Sequence, residues 1–150
     1  MKVILQRVKR ASVKSVNVYH EIGPGFLLLV GIGNDTTDED LKVMARKIAQ
    51  TRIFEDDNQK MNLSIKEAEG EILSVSQFTL YADVKKGNRP SFTRAMNPDT
   101  AREYYEKFND YLVQEGITVK PGDFGEMMDI ELINDGPVTV IFESFEGKLK

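Results

Sequence analysis

The chain has 150 residues, no cysteine, one histidine and a formal net charge of −4. That length matches the commonest size of one domain and buries a core without covalent staples, while the lack of cysteine excludes disulfides, thiolate nucleophiles and zinc–sulfur sites, and one histidine cannot build a multi-histidine metal centre. The acidic balance argues against broad adhesion to nucleic acid, which relies on Lys and Arg neutralising phosphates.

No repeat, linker or low-complexity tract is visible, so residues 1–150 read as one domain. The opening Met1-Lys2-Val3-Ile4-Leu5-Gln6-Arg7 meets charge too early for the apolar core of a signal peptide. The longest apolar run, Phe26 to Ile32, is too short to span a bilayer. The expectation is a soluble cytoplasmic protein without membrane contact. Short runs rich in branched residues predict strands at Val3–Val8, Val13–Val18 and Phe26–Ile32. The lone histidine, His20, falls in a predicted turn before Glu21-Ile22-Gly23-Pro24-Gly25 and reads as a solvated residue rather than a base.

Thr36-x-x-Glu39 offers a capping box, after which Leu41, Met44, Ala45 and Ile48 recur at helical spacing. Ile53 to Leu63 reads as a hairpin around Asp56-Asp57-Asn58-Gln59, and Ile72 to Tyr81 as a strand. The segment KKGNRPSFTR carries Lys85, Lys86, Arg89 and Arg94 with no acid; charge alone makes it a solvated loop, though it also suits a ligand held at one end. Asn97-Pro98 supplies an N-cap and a first helical residue. Ala101, Tyr104, Tyr105, Phe108 and Leu112 form the buried stripe of that second helix, and Gly116 its stop. Asp129–Ile133 and Val138–Phe142 complete the predicted strands. Two helices set among grouped strands predict an α/β fold of α+β character, with a mixed or antiparallel sheet, layered or barrel-like, rather than a doubly wound parallel one.

Catalytic devices are conspicuously few: there is no GxSxG elbow, no Walker loop and no GxGxxG before a helix. An enzyme made from this set works through hydroxyls, backbone dipoles and water, or borrows a group from its substrate. Such chemistry is confined to bonds already activated, such as an ester.

Two segments draw attention. Ser74-Val75-Ser76-Gln77-Phe78-Thr79-Leu80-Tyr81 would, as an unbroken strand, point Ser76 and Phe78 one way and Gln77 and Thr79 the other. Polar groups on both faces mean either buried polar groups with partners or a strand that ends near Phe78 and turns at a site. Asn134-Asp135-Gly136-Pro137-Val138-Thr139 reads first as a turn before a strand, with a proline whose isomer sequence does not settle.

Together these segments resemble the SQFTL and NxGPVT signatures of the D-aminoacyl-tRNA deacylase family. The likeness continues through Gln6-Arg7-Val8, Glu21-Ile22-Gly23-Pro24-Gly25, Arg52-Ile53-Phe54-Glu55-Asp56, Lys60-Met61-Asn62-Leu63-Ser64, Lys86-Gly87-Asn88-Arg89-Pro90-Ser91-Phe92 and Phe124-Gly125. It departs at Lys14 to His20, where family members carry an acidic-Gly turn. The resemblance implies the deacylase fold, a homodimer with sites at the subunit interface, and hydrolysis of D-aminoacyl-tRNA and of glycyl-tRNA mischarged on tRNA-Ala. No cofactor, metal or protein cofactor is implied. Gly136-Pro137 would be a cis peptide inserted into the partner's site to reject L-amino acids, oriented by Arg7. Ser76, Gln77, Phe78 and Thr79 would contact the terminal ribose and the ester of the tRNA, Met128 the adenine, and Lys85, Lys86 and Arg89 acceptor-stem phosphates. Thr79 is one candidate nucleophile, but no base is at hand to activate it; water assisted by a ribose hydroxyl is the favoured alternative.

Overall fold

The computed structural model describes residues 1–150. A mixed sheet is built from β1 (Lys2–Lys14), β2 (Tyr19–Ile22), β3 (Gly25–Gly31), β6 (Glu71–Ser76), β7 (Thr118–Pro121), β8 (Asp129–Phe145) and β9 (Lys148–Leu149). A separate hairpin pairs β4 (Phe54–Glu55) with β5 (Met61–Leu63), and two helices, α1 (Asp38–Gln50) and α2 (Pro98–Gln114), pack on the sheet. The order is β7-β6-β3-β1-β8-β9, with β2 on the second half of β1. β3, β6 and β7 run parallel, while β1 pairs antiparallel with both β3 and β8. The expected mixed sheet with two helices is what forms.

Some boundaries differ from the sequence expectation, and the differences are instructive. Val3–Val8 and Val13–Val18 were expected as separate strands; β1 instead runs unbroken to Lys14, and Ser15 to Val18 form the turn into β2. Register shifts lie between Gln6 and Val8 and again between Val8 and Arg10. Such irregularities reset the alternation of side chains and bend a strand. Before them Val3 and Leu5 enter one core with the helices; after them Val8, Ala11 and Val13 enter a second core inside the curl of the sheet. β3 serves both, sending Phe26, Leu28 and Val30 to the first core and Leu27 to the second, which is why its sequence is continuously apolar.

His20 is not in a turn: it pairs opposite Val13 in β2, with its ring Nδ1 2.6 Å from the carbonyl of Pro121. The capping box of α1 lies one residue later than expected. Thr37 is the N-cap, reciprocated by Asp40, because the hydroxyl of the buried Thr36 accepts the N–H of Gly33 in the preceding turn. α2 begins as expected, with Asn97 accepting from Thr100 N–H and Pro98 in the first turn, and Gly116 stands just beyond its end at φ +91°. Phe108 and Leu112 on its inner face are fully buried, each contributing roughly 1.5–3 kcal/mol relative to exposure.

The Asn134-Asp135-Gly136-Pro137 segment is no terminal turn either. β8 runs through it, because Gln6 pairs with Thr139 while Val8 pairs with Asn134, leaving Asp135 to Val138 bulged opposite Arg7. Within this bulge the Gly136-Pro137 peptide is cis and Gly136 has φ +128°.

Candidate active site

The site grows from the end of β6. The strand expected to reach Tyr81 stops at Ser76. Gln77 still donates its N–H to Val30 O at 2.8 Å, then turns the chain off the sheet into a short 3-10 helix, Phe78–Tyr81. Polar residues predicted on both faces thus find their explanation in a strand that turns away. No side chain caps this helix, so the N–H groups of Phe78 and Thr79 at its start have no partner within it. The Gln77 amide donates to the Thr79 hydroxyl, and no carboxylate or imidazole is bonded to that hydroxyl.

Tyr81 anchors the helix from below. It is buried, and a Cβ on Gly33 would fall 2.6 Å from its ring, so glycine there is a packing requirement. Burial is the main cause that pushes the phenol up to about 12, which keeps it neutral and out of acid–base chemistry near pH 7.

Beside the 3-10 helix lies a cavity of about 500 Å³. Val30, Ile32, Phe78, Phe92, Met96 and Phe124 supply apolar walls, and Ser76, Gln77 and Asn97 polar ones. Phe78 and Phe92 meet edge to face, with ring centres 5.2 Å apart. Apolar walls with a few polar groups suit a flat aromatic ligand.

Ser76, Gln77 and Phe78 therefore come together as expected, with Thr79 adjoining. Met128 does not line this cavity: it packs against the second core, and its sulfur accepts the N–H of Asp123 at 3.3 Å. Phe92 and Phe124 appeared in the sequence only within segments of family likeness, without a role, and Met96 not at all, because all three sit in irregular segments without periodicity. Arg7, Gly136 and Pro137 form a second group. Buried Arg7 donates Nη1–H to Ile53 O at 2.6 Å and Nε–H to Asp135 O at 3.1 Å, with the Asp135 carboxylate at 3.5 Å. It thereby ties the Asp135 end of the bulge to the segment that follows α1. Arg7 stands opposite Phe26, Phe26 opposite Ile72, and Ser76 lies further along the same strand. At ~3.3 Å per residue and ~4.8 Å per strand, the bulge and the cavity of one chain are separated by about 15–20 Å. Lys85, Lys86 and Arg89 lie exposed on the loop after the 3-10 helix, closed at its base by Asp83 and Ser91. No group of three or more His, Asp or Glu side chains is placed to hold a metal ion, and no helix is long and apolar enough to cross a membrane.

Fold and site define a class: a curled mixed sheet in which a 3-10 helix without a side-chain cap stands beside an aromatic-lined cavity. The family model for D-Tyr-tRNA(Tyr) deacylase matches residues 4–143. The chain is 57% identical to the D-aminoacyl-tRNA deacylase of Staphylococcus aureus (strain bovine RF122 / ET3-1), over 100% of both chains. It is 56% identical to that of Staphylococcus haemolyticus (strain JCSC1435), over 99% of each. The solved structure of the c-Myc DNA Unwinding Element Binding Protein superposes with a TM-score of 0.88 at 41% identity, covering 96% of this chain and 99% of that one. This chain belongs to the D-Tyr-tRNA(Tyr) deacylase family.

Proposed function

We propose that the chain hydrolyses the ester joining a D-amino acid to the 3′-terminal adenosine of tRNA, and glycyl-tRNA mischarged on tRNA-Ala, acting in the cytoplasm as a homodimer. One observation carries the reading: two free backbone N–H groups stand beside an aromatic-lined cavity. The adenine occupies the cavity, and its ribose carries the ester to the start of the 3-10 helix. A water attacks the ester carbonyl, assisted by a ribose hydroxyl, and the N–H groups of Phe78 and Thr79 stabilise the oxyanion as it forms. Thr79 remains a hydrogen-bond partner of Gln77 rather than the nucleophile, consistent with the lack of a base on its hydroxyl. The leaving group is the ribose oxygen of the tRNA, and the water supplies the new carboxyl oxygen. Lys85, Lys86 and Arg89 contact acceptor-stem phosphates, which position the tRNA without reading sequence.

Selectivity comes from the neighbouring subunit. The bulge and the cavity lie at different places on the sheet, about 15–20 Å apart along its surface, which supports a site completed by the Gly136-Pro137 segment of a second copy. Its carbonyls accept hydrogen bonds from the substrate ammonium, and an L side chain placed by the same ammonium collides with the segment. This is selection by a clash against the wrong partner, and it leaves glycine unexcluded. The test is deacylation of D-tyrosyl-tRNA against L-tyrosyl-tRNA. Rapid release from the D-ester with the L-ester spared is expected; equal or absent hydrolysis would overturn the reading.

A further inference from the structure

Phe124 is a wall of the cavity that lies outside regular structure, in the irregular stretch between β7 and β8. Its position is nevertheless determined from two sides. On α2, Arg102 donates Nη2–H to Phe124 O at 3.3 Å, and its guanidinium carbon lies 4.9 Å from the centre of the Phe124 ring. Arg102 is exposed and has no carboxylate within ion-pair distance, so these two contacts to one residue are its specific engagements. Tyr105 backs the ring at 5.7 Å and is itself fixed by a bond to Ser74 O at 2.7 Å.

The other side is the turn between β1 and β2. The Ser15 hydroxyl accepts the N–H groups of Asn17 and Val18, closing the turn, and directs its proton to the Asp123 carboxylate at 2.7 Å. The Asn17 amide donates to the same oxygen at 3.2 Å. Asp123 precedes Phe124 directly, and its own N–H goes to the Met128 sulfur. The residue that forms the wall is therefore gripped at its carbonyl and ring by α2, and at its neighbour by a hairpin tip outside the cavity.

We propose that Arg102 and Asp123 are positioning residues that hold Phe124 as one wall of the nucleoside pocket, so that affinity for the tRNA terminus is set from α2 and from the Ser15–Val18 turn. The proposal rests on the deacylase reading and adds residues to it. A wall that only binds the nucleoside acts equally on ground and transition states, so loosening it raises KM and leaves kcat alone.

The experiment measures kcat and KM on D-tyrosyl-tRNA, together with the dissociation constant of 3′-(D-tyrosylamino)-3′-deoxyadenosine, whose amide is not hydrolysed. Arg102→Ala is expected to raise both KM and the dissociation constant about tenfold, consistent with loss of one cation–ring contact and one charge-assisted bond. Arg102→Lys, which retains the cation, recovers part of that loss. Asp123→Ala and Ser15→Ala move KM in the same direction, with kcat unchanged. Thermal melts of the Arg102 variants are expected to match the parent, since the side chain is exposed. Parent protein that hydrolyses and binds while all variants match it would overturn this proposal alone, as would a fall in kcat at constant KM. Parent protein that neither binds nor hydrolyses would overturn the deacylase reading and this proposal with it.

Discussion

At the scale of single residues, function here depends on what surrounds a group more than on its chemistry. Thr79 carries a hydroxyl at the start of the 3-10 helix, yet its visible partner is an amide and not a base. Thr79→Ala is therefore expected to retain deacylation within about tenfold in kcat, because the proposed oxyanion donors belong to the backbone. Complete loss of turnover with tRNA affinity intact would make Thr79 the nucleophile. Arg7 is the opposite case, a buried cation with two polar contacts to Asp135 in the bulge and one to Ile53. Arg7→Met leaves the carbonyls of Asp135 and Ile53 unpaired, at a cost of about 1–3 kcal/mol each where they stay dry. Hydrolysis of the L-ester should rise relative to the D-ester as the bulge loosens, and a preserved enantiomer ratio would detach Arg7 from selectivity. Sequence made both residues visible through motif likeness. It marked Phe124 only as part of the likeness and gave it no role, because its contacts with Arg102 and Tyr105 are encoded by no local spacing.

At the scale of elements, local signals were readable wherever the chain obeyed one periodicity. α2 kept the predicted cap, stripe and glycine stop because all three are local rules. β1 and β8 were misdivided because each changes its facing midway, where their mutual register shifts between Gln6 and Arg10. The α1 cap moved by one residue because Thr36 and Thr37 are chemically alike, and only the tertiary turn to Gly33 separates them. The same helix start supplies an acid-sensitive joint. Asp38 meets Lys107 at 3.0 Å and accepts from Tyr111 at 2.8 Å, both on α2. Lys107 first, and then Tyr111, hold its carboxyl at about 2 against an ordinary 3.8. Asp40 is also lowered: burial pushes it up, but the N–H groups of Thr37 and Gly147 outweigh that. A depressed carboxyl stabilises the fold fully above its unfolded value and loses that contribution as pH falls through the folded one. Urea midpoints should therefore fall as pH is lowered from about 4 to about 2. Asp38→Asn should flatten the part of this decline that is sensitive to salt, since Asp38 is about a third exposed and its ion pairs are screened. An unchanged pH profile in the variant would remove Asp38 from the joint.

At the scale of the whole molecule, the two cores explain why the sheet curls, and on the face of the second core part of β8 stays uncovered. β8 exposes Ile141 and Phe145 on the face opposite the helix-side core, and Ile141 stands beside Ile4 across the register. Apolar groups collected on one face near the Gly136-Pro137 bulge fit a surface that a second copy covers. This supports the dimer that the separation of bulge and cavity calls for. Sedimentation is expected to give twice the 17.0 kDa chain mass. Ile141→Glu places a charge on that face without entering either core, so the isolated chain should keep its melting behaviour while the dimer dissociates. If each cavity needs the bulge of its neighbour, enantiomer selection must fall in step with the dimer fraction as this variant is diluted. A fully monomeric Ile141→Glu protein that still hydrolyses the D-ester and spares the L-ester at the parental ratio would show that one chain suffices.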